Sequence, residues 1–332
     1  MRPSERNGTE SSLDAMLDRI VDDASRNLRF IAAELGADAP EAERLPAFQI
    51  EMKDAHRDPY ATGPRRAEPR FAGRTCSVPV HPGAISWHEL RAYDPAEAAF
   101  SLASLLDLEV VCRSRGHLDE YRALTCGGLH VAGVRGCHEA LEQGWSTYVR
   151  VANVEHACDR AIALGGSVRV APSGIMGLDR RAEICDPTGA TITVIAGGDD
   201  RRTAGSGAFG WDELRSTDPT TSGRFWCEIF GWSAMPLVSP RGSHAALFLN
   251  GGRAVASMQR ASDAESRSRW LPVATVRAET VRAAISRAVS AGFRIEQAPV
   301  PHAVLSLEAL VVDPNGIEIA LGCEPMHGIA AA

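Results

Sequence analysis

At 332 residues the chain is too long for one ordinary core and suits two domains with an additional segment. Hydrophobic residues make up 45% and charged residues 23%, as in soluble globular proteins, and no apolar run approaches the ~20 residues a membrane helix requires. A net charge of −7 excludes a general nucleic-acid binder, and short basic runs such as Arg65-Arg66 and Arg180-Arg181 read as solvated surface.

The start, Met1-Arg2-Pro3-Ser4-Glu5, lacks the apolar core of a secretory signal, so the expected location is cytoplasmic. From Ser11 to Leu35 the spacing of Leu13, Met16, Leu17, Ile20, Val21, Leu28 and Ile31 predicts a helix, with Ser11 or Ser12 as cap and Gly36 as stop. Pro40 to Pro79 is rich in Pro, Arg, Asp and Ala and predicts an extended arm. The eight cysteines form no CxxC pair, which excludes a zinc knuckle or thioredoxin-like motif and predicts reduced thiols, several of them buried.

Beyond that arm the chain repeats itself. Gly83 to Pro95 matches Gly207 to Pro219 at eight of thirteen positions: Gly, Ala, Trp, Glu, Leu, Arg, Asp and Pro. Arg160-Ala161 with Gly165 and Ala171-Pro172 then matches Arg287-Ala288 with Gly292 and Ala298-Pro299. Last, Asp186-Pro187-Thr188-Gly189 matches Asp313-Pro314-Asn315-Gly316. Three ordered matches at nearly one offset establish a duplication.

Within the first copy, strand-like Ala84–Tyr93 leads to a helix opened by Asp94-Pro95 and running over 96–106; Asp is a good N-cap, and Pro tolerates the first helical position. Strands are predicted near Glu109–Arg113, Tyr121–Cys126 and Leu129–Val134. The order then restarts with strand Thr147–Ala152, helix Val154–Leu164 stopped by Gly165-Gly166, and strands Ser167–Val170, Arg181–Cys185 and Thr191–Ala196. The Asp-Pro-x-Gly turn joins the last two as a tight hairpin, Pro fixing φ and Gly supplying a positive φ. Each copy therefore predicts βαβββ twice.

Paired βαβββ units with a strand–Asp-Pro–helix opening and a late Asp-Pro-x-Gly hairpin resemble the vicinal oxygen chelate (glyoxalase/bleomycin resistance/extradiol dioxygenase) superfamily. The resemblance covers about three-quarters of the chain and implies an α+β fold: two glyoxalase-like curved-sheet domains with an N-terminal helical extension. The expected division is an arm at 1–79, domains at 80–199 and 207–325, a linker at 200–206 that includes Ala204-Gly205-Ser206, and a tail at 326–332.

Metal-using relatives place ligands on the first, fourth, fifth and eighth strands of such a domain. Carried over, the first-strand position falls on Trp87 and Trp211, the fifth near Thr147 and Pro272, and the eighth near Thr193 and Ala320. None of these is a competent ligand for a divalent ion, so no metal or other cofactor is expected. The fourth-strand positions lie near 131–133 and 254–257, and a one-residue register shift would bring in His88, His130 or Glu318 instead.

The period of two places Trp87, Glu89 and Arg91 on one strand face, and Trp211, Glu213 and Arg215 on its counterpart. These six are the candidate ligand-binding residues, the indole stacking on a planar molecule and Glu and Arg orienting it. Equally, Trp can pack the core while Glu and Arg form a structural pair, and recurrence in both copies favours that role. Glu89 is the candidate general base. His88, His130 and His138 occur in the first copy only, with Asp212 replacing His88, so the first domain is the expected active one. His117, His156, His244, His302 and His327 receive no role, and no P-loop, GxGxxG or GxSxG motif is present.

These readings point to a protein that binds a small organic molecule, neither nucleic acid nor membrane, as a monomer or homodimer. The expected activity is that of an atypical metal-independent lyase or isomerase of secondary or detoxification metabolism. The alternatives are a non-catalytic protein that sequesters an antibiotic or metabolite, and a metal-dependent lyase or dioxygenase with a shifted ligand set.

Overall fold

The computed structural model describes residues 82–112, 121–138, 143–174, 180–197, 209–238, 244–262, 267–276, 281–302, 304–305 and 307–323. The predicted N-terminal helix and arm, the linker and the tail lie outside these residues.

The first copy folds as β1 (Ile85–Ala92), α1 (Pro95–Leu106), β2 (Glu109–Cys112), β3 (Tyr121–Cys126) and β4 (Leu129–Gly136), then β5 (Gly144–Arg150), α2 (Val154–Ala163), β6 (Ser167–Ser173), β7 (Arg180–Cys185) and β8 (Thr191–Ala196). The second repeats the order as β9 (Phe209–Ser216), α3 (Pro219–Phe230), β10 (Ser233–Val238), β11 (His244–Asn250) and β12 (Arg253–Arg260), then β13 (Arg269–Val276), α4 (Val281–Ser290), β14 (Arg294–Pro301), β15 (Leu307–Val312) and β16 (Glu318–Cys323). Each copy is one mixed sheet of eight strands, ordered β2-β3-β4-β1-β5-β8-β7-β6 and β10-β11-β12-β9-β13-β16-β15-β14. The first strands of the two modules pair antiparallel at the sheet centre, β1 with β5 and β9 with β13.

Local chemistry sets these boundaries. Asp94 accepts from the amides of Ala96 and Glu97 at 3.0 and 2.9 Å, and Asp218 caps α3 in the same way through Thr220 and Thr221. In the two late hairpins, Asp186 takes the amides of Thr188 and Ala190, and Asp313 those of Asn315 and Ile317. Gly189 and Gly316 turn each chain at φ 100° and 86°. Strand β5 begins at Gly144, three residues before the expected start at Thr147, because it keeps pairing with β1 as far as Arg91.

The helix-side cores are shared between the copies. One apolar cluster joins Leu90, Leu102, Leu105 and Val134 of the first domain to Phe209, Ile285, Phe293 and Leu321 of the second. The other joins Val149, Cys158 and Ile192 to Leu214, Phe225, Trp226, Trp232 and Trp270. Polar contacts cross the same boundary: Trp232 Nε1 donates to the Gly83 carbonyl at 2.8 Å, and Trp226 Nε1 to Asp186 at 3.1 Å. Between the clusters, buried His88 Nε2 lies 2.9 Å from Asp212 Oδ1, which also accepts from Thr147 Oγ at 3.1 Å.

The helix ends α1 and α3 differ in one instructive way. Both stop in the left-handed region, at Asp107 (φ 59°) in the first copy and at the equivalent Gly231 (φ 69°) in the second. A side chain there costs about 1 kcal/mol that glycine avoids. Asp107→Gly is therefore expected to stabilise the protein by roughly 0.5 kcal/mol after the greater freedom of unfolded glycine is counted. Denaturant midpoints of the two proteins measure this, and an unchanged or lower midpoint contradicts it.

Candidate functional site

The concave faces of the two sheets carry the repeated Trp-x-Glu-x-Arg strands, yet the two copies use them differently. In the second cup, Trp211 is buried, its Nε1 donates to Ser257 Oγ at 2.9 Å, and Leu247, Leu271, Val273, Val304 and Leu305 pack around it. This packing leaves the indole no face for a ligand. The β14–β15 connection fills the cup: His302, Val304 and Leu305 are all buried, and a Cβ on Gly322 would lie 2.6 Å from both Leu305 and Val273.

His302, to which no role was assigned from sequence, completes a charged cluster. Glu213 Oε1 accepts from Arg215 Nε at 3.0 Å, and the Arg215 Nη2 donates to Glu308 Oε2 at 2.9 Å. Gln259 Nε2 donates to Glu213 Oε1 at 2.5 Å, and His302 Nε2 lies 2.5 Å from Glu213 Oε2. Burial opposes ionisation of Glu213, but the charges and hydrogen bonds of His302, Arg215 and Gln259 outweigh it and hold the carboxyl well below the usual range. Burial, with the charge on Glu213, pushes Glu308 the other way. Arg215 thus bridges a carboxylate held ionised and a carboxyl whose ionisation burial opposes.

Glu213, His302 and Glu308 offer ligand atoms within 4.8 Å of one another, a donor set that could hold a divalent ion. Glu308 Oε1, buried and without a hydrogen-bond partner among the described residues, is compatible with one. Two features oppose it. The Arg215 guanidinium already bridges both carboxylates. His302 Nδ1 accepts the amides of Val304 and Leu305 at 3.1 and 3.0 Å, which puts the ring proton on Nε2, toward Glu213. A metal-bound imidazole needs the reverse, a bare nitrogen toward the ion and an N–H on the far side. The Glu213 charge raises the proton affinity of His302 against the opposing effect of burial, but a second proton at Nδ1 requires both amide bonds to break.

The first cup is built otherwise. Glu89 is buried and accepts from Tyr148 Oη at 3.1 Å, and Arg135 Nη1 stands 4.0 Å away. Burial, followed by the charge of Glu89, pushes the Tyr148 phenol far above its ordinary pKa, so it remains a donor. Gly133, the β4 partner of Glu89, has no Cβ because the Tyr121 ring occupies that space. Trp87 is half-buried, and Arg91 pairs with Glu183 at 3.1 Å. The segment corresponding to the plug of the second cup, 175–179, lies outside the described residues.

The remaining sequence candidates fall elsewhere. His88 is on the helix side, bonded to Asp212, so the histidine asymmetry between the copies marks their contact. His130 is half-buried near the β3–β4 turn, opposite Thr125 and beyond a bulge that breaks the alternation of β4. Glu318 pairs with Arg269 at 2.8 Å, and its carbonyl accepts from Trp145 Nε1 at 2.9 Å.

Comparison with known proteins agrees with this architecture. Residues 208–321 match the family described as Glyoxalase/Bleomycin resistance protein/Dioxygenase superfamily. CFP32 of Mycobacterium tuberculosis, named as a glyoxylase, is 29% identical over 161 residues, covering 46% of this chain and 59% of that protein. The anthracycline biosynthesis protein DauV of Streptomyces sp. strain C5 is 23% identical over 253 residues, 71% of this chain and 91% of its own length. Among solved structures, the 2,3-dioxygenase LapB from Pseudomonas sp. KL28 superimposes with a TM-score of 0.54 at 12% identity, over 75% of this chain and 94% of that one. The Mn(II)-bound glyoxalase from Novosphingobium aromaticivorans gives 0.51 at 13% identity, over 74% and 83%. Residues 208–321 belong to the glyoxalase/bleomycin resistance/dioxygenase (vicinal oxygen chelate) superfamily, and the first copy repeats their strand order, so the chain carries two domains of this fold in tandem.

The depressed pKa of Glu213 makes its stabilisation present above the unfolded value, near pH 4, and lost as the pH falls through the folded value. Glu213→Gln is expected to cost about 3 kcal/mol at neutral pH, because it breaks a buried pair. The gap from the parent protein should narrow below pH 4. Thermal melts of both proteins between pH 7 and pH 3 test this; a gap that widens on acidification contradicts it.

Proposed function

We propose that the first cup is the working site, that it binds a small organic molecule, and that neither cup uses a protein-bound metal. One observation carries this reading: Glu89 is a buried carboxylate whose Oε1 accepts from the Tyr148 phenol, itself pushed well above its ordinary pKa, and lies 4.0 Å from the Arg135 guanidinium. This trio suits removal of a proton from carbon next to a carbonyl. Glu89 takes the proton, and the C–H electron pair moves into the carbonyl to give an enolate. The guanidinium offsets charge on the enolate oxygen, with Tyr148 as hydrogen-bond donor. Return of the proton to a neighbouring carbon is isomerisation, whereas departure of a β-substituent as an anion is elimination. Trp87 and Tyr121 offer flat walls for a conjugated substrate. The relative named for anthracycline biosynthesis supports a place in secondary metabolism.

α-Proton exchange on aryl 1,3-dicarbonyl compounds in D2O, followed by NMR, reads this activity directly. Exchange above background is expected, with a fall of about 100-fold or more in Glu89→Gln. A ligand bound tightly but recovered unexchanged selects the sequestering role instead.

The metal-free reading has its own test. Metal analysis should find no stoichiometric divalent ion, and chelation should leave exchange unchanged. One ion per chain, lost in a Glu308→Gln variant that remains folded, would overturn it in favour of the Glu213, His302 and Glu308 set.

A further inference from the structure

A cavity of about 590 Å³ lies between the two domains where β5 and β13 begin, and it takes in the Arg91–Glu183 pair of the first cup. Five arginines line it, Arg91, Arg169, Arg267, Arg269 and Arg294, against three glutamates, Glu183, Glu296 and Glu318. The groove is thus net cationic in a chain whose net charge is −7. Three of the arginines are paired, Arg91 with Glu183, Arg269 with Glu318 and Arg294 with Glu296. Arg169 and Arg267 have no carboxylate partner among the described residues. Arg91 Nε is also buried without a hydrogen bond, so that guanidinium is not saturated.

The duplication shows which parts of the groove are inherited scaffold. Strand register equates Trp145 with Trp270, since each faces the leucine of its own Trp-x-Glu-Leu strand. Both tryptophans are among the groove's lining residues, as are the two hairpin glycines Gly189 and Gly316. Arg91 has its counterpart in Arg215 of the second cup, but the arginines of the later strands follow no such rule. The same registers set Arg269 against Gly144, Arg294 against Ser167, and Arg169 against Glu296. A residue kept in both copies is explained by a shared structural role. Cations at positions the other copy does not share, as at Arg169, Arg269 and Arg294, are not explained in that way when they converge on one cavity.

We propose that this groove is a second ligand site, for a planar organic carboxylate. Guanidinium groups meet the carboxylate through charge-assisted and bidentate hydrogen bonds, and the tryptophan-bearing walls take the flat apolar body. The volume lies within the range of small-molecule sites. Binding here is independent of any chemistry at Glu89.

Calorimetric titration with naphthalene-2-carboxylate, and with its neutral amide as control, tests the site. Saturable binding of the acid alone is expected, weakened at least 10-fold by combined Arg169→Glu and Arg267→Glu. Both side chains are exposed, so the fold tolerates the change. Affinity should fall as salt rises, and Glu89→Gln should leave it unchanged. Three results overturn the proposal: no saturable binding, equal binding of acid and amide, or binding that survives the double reversal. Loss of binding in Glu89→Gln would also overturn it, by assigning the ligand to the first cup.

Discussion

The contact on which the whole arrangement turns is the carboxylate of Asp212 set between His88 and Thr147, entirely out of water. His88 and Asp212 occupy the same position in the two copies, so the duplication brings a site face to face with its own descendant. Identical residues there would pair acid with acid or imidazole with imidazole, one of them repulsive and the other short of a proton. Divergence to one acid and one base satisfies both side chains where an unpaired charge would cost several kcal/mol. Everything on the helix side is arranged around that junction, with α1 meeting α4 in one apolar cluster and α2 meeting α3 in the other.

With the convex faces committed to each other, the concave faces were free to diverge. In the second copy, the Trp-x-Glu-x-Arg strand became the anchor for the β14–β15 loop that fills the cup. Arg215 ties Glu213 to Glu308, and His302 staples the loop to its own backbone through Val304 and Leu305. In the first, the same strand supports Tyr148 and Arg135 instead, and Gly133 opens room for Tyr121. One inherited motif therefore serves as a strut in one domain and as a candidate reaction centre in the other.

The fold was legible from residues that act locally. Asp94-Pro95 and the Asp-Pro-x-Gly turns depend on bonds to amides two to four positions away, so their meaning survives without tertiary context. The short apolar runs of β3 and β8 likewise mark their bounds. The site was legible only in part. Glu89 could be placed on the cup face from the period of two, but Tyr148 and Arg135 reach it across strands whose register no single sequence fixes. His302 was missed for a related reason: it lies beyond a strand end, in Pro301-His302, where no periodicity assigns a face. Its first-copy counterpart by the repeat offset is Ile175, so the duplication gave no warning either. His88 misled because a histidine found in one copy reads as chemistry, whereas its partner was the aspartate that replaced it.

The shared aromatic cluster carries a consequence for how this molecule can be divided. Trp226 and Trp232 belong to the second domain by sequence, yet their indole N–H groups terminate on Asp186 and on the Gly83 carbonyl of the first. Neither half owns the apolar layer beneath its helices. A protein cut between its copies would expose that layer on both pieces, so the heritable unit of folding is the pair. The duplication, once fused in this way, became irreversible: two similar halves, neither able to be shed.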